Sequence, residues 1–296
     1  MRTPDSRQAH RCNDSTLLQV LICAYGPDGL ERVKKSAHPQ TDGVEYLVSW
    51  QTEEYPPATV IYERNDLTIV TTGTKGLSVN RNTALSLASA PLILIGDDDA
   101  DYSEDGLRNV MEGFKENPDA DIIAFRYEST SSAKSYPSHS FSLSKLPKGY
   151  YISSIEIAFR REAVQGKIWF NEHFGIGATF PSGEEDIFIT DCLQRGLNGI
   201  YLPRTVTRHD GVTTTGKSLA LASRARTKGA VFLRRHPHDW PLRMIVNAAR
   251  ELPMWRKGLV PSPLSFCREW LKGVRIAGDN KVFPTPDYSD KYPSHE

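Results

Sequence analysis

Four consecutive apolar residues, Leu92 to Ile95, run without a break into Gly96-Asp97-Asp98-Asp99. An apolar run this short, set off by Pro91, reads as a strand covered on both faces, and such strands belong to parallel sheets flanked by helices. Open parallel sheets bind ligands beyond the carboxyl ends of their strands, which is where these three acids stand. Adjacent carboxylates repel one another, and a divalent cation relieves the repulsion. Oxygen donors of this kind suit Mg²⁺ or Mn²⁺, with water and a substrate diphosphate completing the coordination. An acidic turn capping the next helix is the alternative that the three residues leave open.

The rest of the first half fits such a sheet. Leu17 to Cys23, Val44 to Trp50, Leu67 to Thr71 and Asp121 to Phe125 read as strands, with helices over Leu30 to Ala37, from Leu77 to Ala88, and after Ser103. A Ser cap followed by Glu104 and Asp105 favours that last helix start. Strands alternating with helices indicate an α/β fold with a mostly parallel sheet. Ser129 to Lys148, rich in Ser, Pro and Lys, reads as a variable loop. Ile152 to Phe159 then restores strand character and Ile187 to Leu193 helical character.

Two further segments carry chemistry. Gly76-Leu77-Ser78-Val79-Asn80-Arg81-Asn82 with Ala84 opens the helix that feeds the acidic strand, and Ser182-Gly183-Glu184-Glu185-Asp186 precedes a helix ending near Gly196. Taken with the first strand and its Ala24-Tyr25-Gly26 end, this ordered set resembles glycosyltransferase family two, which has the nucleotide-diphospho-sugar transferase (GT-A) fold. The likeness covers about residues 17 to 235.

The resemblance implies an inverting transfer of a sugar from a nucleotide-diphospho-sugar, with a UDP-sugar the usual donor, to a hydroxyl of a glycan or lipid-linked acceptor, in polysaccharide or glycoconjugate synthesis. It places Ala24, Tyr25, Gly26, Gln51, Gly76, Arg81 and Asn82 along the nucleotide, Asp98 at the ribose, and Asp97, Asp99 and His209 around the cation. The acceptor proton then falls to Glu185 or Asp186. Spacing back from Gly196 selects Glu185, whereas residue type selects Asp186. Acids at a helix start also interact well with its dipole, which accounts for them without any catalytic role. One departure is clear: where the family has an acid-rich segment after its second strand, this chain has Ser49-Trp50-Gln51. Gln51 reaching a base edge and Trp50 stacking on it are one reading, and a core Trp is the other.

Two other classes use similar residues. A metal-dependent phosphohydrolase or nucleotidyltransferase would need the same acids, but the chain has no D-x-D-x-T strand end. A non-catalytic sugar-nucleotide-binding relative would explain the missing second-strand acid, though not the retention of both acid clusters. Lys plus Arg and Asp plus Glu both number 36 in 296 residues, so no nucleic-acid partner is expected. No apolar run approaches the roughly 20 residues of a membrane helix. The polar start has no secretion signal, and Cys12, Cys23, Cys192 and Cys267 form no metal or disulfide pattern; a cytoplasmic protein is expected.

The reading divides the chain into a polar leader (1–16), a catalytic domain (17–235) and a basic helical extension with an irregular tail (236–296). Residues 201–296 hold 17 basic and 8 acidic side chains, which leaves peripheral contact with the inner membrane face open. Apolar stripes through Leu242, Ile245, Val246, Ala249 and Leu252, and through Phe266, Trp270, Leu271 and Val274, are expected to pack on the domain. Gly211 to Lys217 reads as a loop able to close over a diphosphate, and 129–148 and 171–182 as loops facing the acceptor.

Overall fold

A computed structural model describes residues 15–130, 134–210, 221–257 and 262–293. The expected closing loop, Gly211 to Lys217, lies outside the described residues. β1 (Leu18–Tyr25) is buried along seven of its eight residues and sits between β2 (Val44–Gln51) and β5 (Leu92–Asp97), parallel to both. β4 (Leu67–Thr72) extends the parallel part beyond β2. This register brings Tyr25 opposite Gln51 and Cys23 opposite Asp97, so the carboxyl ends of three strands share one edge. Alternate residues of β1 serve different faces: Leu18, Val20 and Ile22 join one apolar cluster and Leu21 the other.

Beyond β5 the sheet is mixed. β9 (Ile157–Arg160) runs antiparallel to both β5 and β7 (Ile122–Glu128), while β10 (Gly199–Arg208) is parallel to β7. Short β6 (Asp101–Tyr102) and β8 (Phe141–Ser142) pair antiparallel with β10, and β3 (Val60–Arg64) caps the far edge against β4. The strand expected from Ile152 therefore begins later. Ser154–Glu156 forms a 3-10 turn, because the Glu156 carboxylate folds back to accept the Ser153 N–H. β10 escaped the sequence reading because Pro203 and Arg204 interrupt its apolar pattern, and the ladder shifts register between Tyr201 and Thr205.

The helices follow their local chemistry. α1 (Gly26–Lys35) starts earlier than expected, with Pro27 in its first turn, where a fixed φ and a missing N–H cost nothing. α2 (Leu77–Leu87) begins at Gly76, whose φ of 104° suits glycine. In α3 (Glu104–Glu116) the Ser103 hydroxyl accepts the Gly106 N–H, as its sequence predicts. A short α4 (Arg161–Val164) follows β9, and α5 (Glu184–Gln194) carries the second acid cluster.

Three C-terminal helices, α6 (Leu221–Arg235), α7 (Trp240–Arg256) and α8 (Pro263–Asp279), complete the structure. A third apolar cluster of Phe174, Phe180, Ile187, Val231, Ala277 and Val282 joins α5, α6 and α8. The segment after α8 is irregular, as expected, yet lies against the catalytic part: Tyr292 Oη donates to Glu172 Oε1 at 2.6 Å and Asn171 Nδ2 donates to the Val282 carbonyl at 2.9 Å. One expectation fails. The stripe on α8 turns Trp270 inward, but that on α7 faces outward, with Leu242 64%, Ile245 60% and Val246 43% exposed. Among the described side chains of α7 the buried one is Ala248, on another side of the helix from the stripe.

α6 and α8 cross at backbone contact. A methyl group on Gly229 would stand 2.1 Å from the Trp270 carbonyl oxygen, and one on Gly273 would stand 1.9 Å from that of Arg226. Gly273→Ala should therefore destabilise the protein by about 3 kcal/mol, at the upper end of overpacking costs. Gly278→Ala, on the same helix with nothing within 4 Å, should be neutral or gain about 0.5 kcal/mol. Equal denaturation midpoints for the two variants would contradict the crossing.

Candidate active site

The strand ends and the start of α2 are laced together by polar side chains. Gln51 is buried, and its amide nitrogen donates to Thr74 Oγ1 and the Gly76 carbonyl, both at 3.1 Å. Asn80 Nδ2 donates to the carbonyls of Ala24 and Ser49, tying the first turn of α2 to β1 and β2. Gly76 itself meets the 171–182 loop, with Leu77 N donating to the Ile176 carbonyl at 2.9 Å. Ala24 is buried, Gly26 takes a φ of 63°, and Tyr25 between them is 61% exposed at the mouth of the crevice.

Of the two readings of Trp50 the core one holds, and Asn82, which the resemblance places along the nucleotide, is engaged elsewhere. Trp50 is a core residue, its indole donating to the Gly26 carbonyl at 2.8 Å. Asn82 is fully buried and clamps Phe170 through both backbone groups: Nδ2 donates to its carbonyl at 2.9 Å and Oδ1 accepts its N–H at 2.8 Å. Asn82 therefore turns away from the crevice, on the side of α2 that faces the core.

Arg81, one position before it, joins the acid clusters. Its guanidinium is 2% exposed and donates to Glu184 Oε1 at 2.9 Å and to Asp97 Oδ1 at 3.2 Å. The same group lies 5.5 Å from the centre of the Phe170 ring. Burial works against its charge, but Glu184 and Asp97 outweigh burial and raise its pKa further. Arg81, which the resemblance places along the nucleotide, is thus paired with two acids.

The three strand-end aspartates diverge. Asp97 also accepts a hydrogen bond from Ser154 Oγ at 3.2 Å. Asp98 is gripped by Arg32 of α1, whose Nε and Nη2 donate to its two oxygens at 2.9 and 2.8 Å; burial nevertheless raises its pKa. Asp99 Oδ1 stands 3.1 Å from His209 Nε2. Burial acts to raise the Asp99 pKa, but contact with His209 carries it below the ordinary value, and the same contact raises that of His209. Among the described residues no three His, Cys, Asp or Glu side chains converge as a ready metal cage. Asp99 and His209 fit a hard divalent cation as a two-ligand site, of the sort completed by water and substrate phosphate. Asp97 accepts from Arg81 and Ser154, and its charge also helps to raise the His209 pKa.

At the start of α5 the two candidate bases differ in their partners. Asp186 is paired with Arg235 of α6 at 2.8 Å. Glu185 Oε2 is buried with no hydrogen-bond partner among the described residues. Burial, followed by the charges of Glu184 and Asp186, raises the Glu185 pKa well above the ordinary carboxylate range, against the pull of Arg81. Gly183 makes the helix start possible, with a φ of 91° and Val231 of α6 2.9 Å from where a methyl group would sit.

Sequence reasoning missed a third group beside Asp97. Lys134 Nζ donates to both oxygens of fully buried Glu156 at 2.7 Å and is ringed by Tyr127, Tyr136, Tyr150 and Tyr151, the last with its ring centre 4.2 Å away. The Tyr136 hydroxyl also donates to Glu156. This cluster fixes the 3-10 turn that supplies Ser154 to Asp97. The tyrosines and Lys134 lie in stretches without periodicity, so nothing in the sequence marks them as partners.

Residues 52–181 match the sequence model of glycosyl transferase family 2. The chain carries a glycosyl transferase family 2 domain. The matched span of this glycosyltransferase domain holds Gly76, Arg81 and the three aspartates, and ends before Glu184. No curated protein sequence matches the chain significantly. Among solved structures it is similar to S. aureus TarS 1–349 in complex with UDP, at 14% identity and a TM-score of 0.53 over 74% of this chain and 65% of that one. TarS 1–349 alone gives 13% and 0.52 over 93% and 77%, and its complex with UDP-GlcNAc gives 13% and 0.52 over 74% and 66%. The chain thus spans just under two thirds of the first of these structures. At such identities the likeness shows the fold, which is GT-A.

The members of the Arg81 group should be energetically coupled. Arg81→Met leaves two carboxylates without their shared cation and should destabilise by about 3–5 kcal/mol. Arg81→Met combined with Glu184→Gln should cost less than the sum of the two single changes by about 1–3 kcal/mol. Chemical denaturation of the four proteins tests this, and additive losses would show that the pair is not coupled.

Proposed function

We propose that this chain is an inverting, metal-dependent transferase that moves a sugar from a nucleotide-diphospho-sugar to a hydroxyl of a glycan or lipid-linked acceptor. The observation that carries the reading is the pair of acid clusters joined by Arg81 at the carboxyl edge of the sheet, one ending in the Asp99–His209 contact and the other holding a carboxylate oxygen, Glu185 Oε2, that has no partner among the described residues. We take the donor as a UDP-sugar, because the TarS structures that share the fold include complexes with UDP and UDP-GlcNAc.

Direct displacement inverts the anomeric carbon, so the base must lie across the sugar from the leaving diphosphate. Glu185 suits that role. Its Oε2 has no competing donor among the described residues, and its raised pKa makes it a stronger proton acceptor than an ordinary carboxylate. Asp186 instead holds α5 to α6 through Arg235. Arg81 keeps Glu184 and Asp97 fixed on either side of the reacting centre. A divalent cation held by Asp99 and His209 would neutralise charge on the departing diphosphate. Tyr25, Gly26 and the Gly76 turn form the wall along which the nucleotide would lie, while Gln51 shapes that turn from behind. A lipid-linked acceptor would bring the protein to a membrane surface.

Thermal-shift measurements with nucleotide sugars, with and without Mn²⁺, test the donor. Asp99→Ala should abolish the part of the shift that depends on Mn²⁺ and leave the protein folded. A shift from UDP-sugars that is the same in parent and variant, with or without the metal, would rule the metal site out.

Glu185→Gln should lower turnover about 10²- to 10⁴-fold with donor affinity retained, whereas Asp186→Asn should be mild. The sign of the pH effect follows from the raised pKa. A base must be deprotonated, so kcat/KM should fall as pH drops through a value well above that of an ordinary glutamate, and Glu185→Gln should lack this acid limb. Parental turnover in the Gln variant would leave α5 with helix-dipole acids only.

A further inference from the structure

The outward face of α7 has a composition that water alone does not explain. Leu242, Ile245, Val246 and Ala249 lie within about 100° of one another on the helix wheel, Pro253 continues the line one turn on, and all five are exposed. Arg243 and Arg250 flank this stripe on one side, and Arg256 lies on its line at the C-terminal end of the helix. Arg250 and Arg256 have no acidic partner among the described residues, while Arg243 is paired with Asp239. Between residues 240 and 279 the chain carries seven basic and three acidic side chains. α8 adds to the pattern with Leu264 71% and Leu271 46% exposed, on a face that also bears Arg268 and Arg275. No helix of the described residues is long and apolar enough to cross a membrane.

We propose that α7 docks in the plane of an anionic lipid surface, with Leu242, Ile245 and Val246 below the headgroups and the arginines among the lipid phosphates. An apolar stripe bordered by long cationic side chains is the form of helix that lies in such an interface, because the arginine stems reach back to the headgroups while the stripe is buried. A second copy of the chain is a poorer occupant. A symmetric contact would bring together two copies of one face on which basic side chains outnumber acidic ones. An anionic leaflet offers the opposite charge along the whole face. The proposal rests on the surface alone and not on the chemistry assigned to Glu185 or Asp99.

The test is co-sedimentation of the full chain with vesicles of phosphatidylcholine alone and of phosphatidylcholine with 30% phosphatidylglycerol, at 50 mM and 500 mM NaCl. Binding is expected to the anionic vesicles and to weaken at the higher salt. The triple variant Leu242→Glu, Ile245→Glu, Val246→Glu should bind at least tenfold more weakly, and Arg250→Glu at least about fivefold. All these side chains are exposed, so both variants should melt with the parent and keep its donor-induced thermal shift. No binding to anionic vesicles at 50 mM NaCl would overturn the proposal, as would equal binding by parent and triple variant. A parent dimer that the triple variant dissolves, without vesicle binding, would give the face to a second copy instead. Failure here would leave the donor and base experiments untouched, and their failure would leave vesicle binding unchanged.

Discussion

One buried guanidinium organises the crevice. Arg81 takes a carboxylate from the end of β5 on one side and from the start of α5 on the other, across 16 and 103 residues of sequence. Burying a cation this completely is costly unless both charge and hydrogen bonds are matched, and the two acids supply that match. Phe170 lies beside the same guanidinium, and Asn82, the next residue along α2, fixes Phe170 by its backbone. Adjacent residues on one helix thus hold the acids on one side and the packing beneath them on the other.

The remaining charges are arranged so that each acid has a distinct environment. Asp98 is neutralised from α1, Asp186 from α6, and Asp191 of α5 from Arg234. Glu184 is held through one oxygen by Arg81 and Asp186 by Arg235, whereas Glu185 Oε2 is buried with no hydrogen-bond partner among the described residues and its pKa is driven well up by burial and its neighbours. Cys23, opposite Asp97 in the ladder, has its thiol pushed up to about 12 by burial, which keeps it out of the chemistry. Pairs of like groups driven apart by environment are the general means by which one site holds a base beside structural acids.

The parallel half of the sheet was legible because its strands are buried on both faces and write short apolar runs into the sequence. α3 was equally plain, since its Ser cap and first-turn acids act locally. The family resemblance found the acids and their order. The sequence did not show that Asn82 would face inward, because a helix position is read against a wheel whose core side depends on Phe170, 88 residues away. Nor could it separate Glu185 from Asp186, since the difference lies in Arg235 on a helix that bears no motif. The outward stripe of α7 was misread for a related reason. An apolar stripe predicts a partner, but nothing in its period says whether that partner is the same chain.

The glycine crossing of α6 and α8 bears on the order in which the site is completed. Arg235 follows Asp186 by 49 residues, and α8, whose Trp270 carbonyl lies against Gly229, comes later still. A chain leaving the ribosome therefore presents its aspartate strand and the start of α5 well before the helices that brace them. Until Gly273 settles against Arg226, α6 lacks the neighbour it crosses, and the pairing of Asp186 with Arg235 has no backing. The basic residues that finish the electrostatics of the crevice are synthesised after the acids they brace.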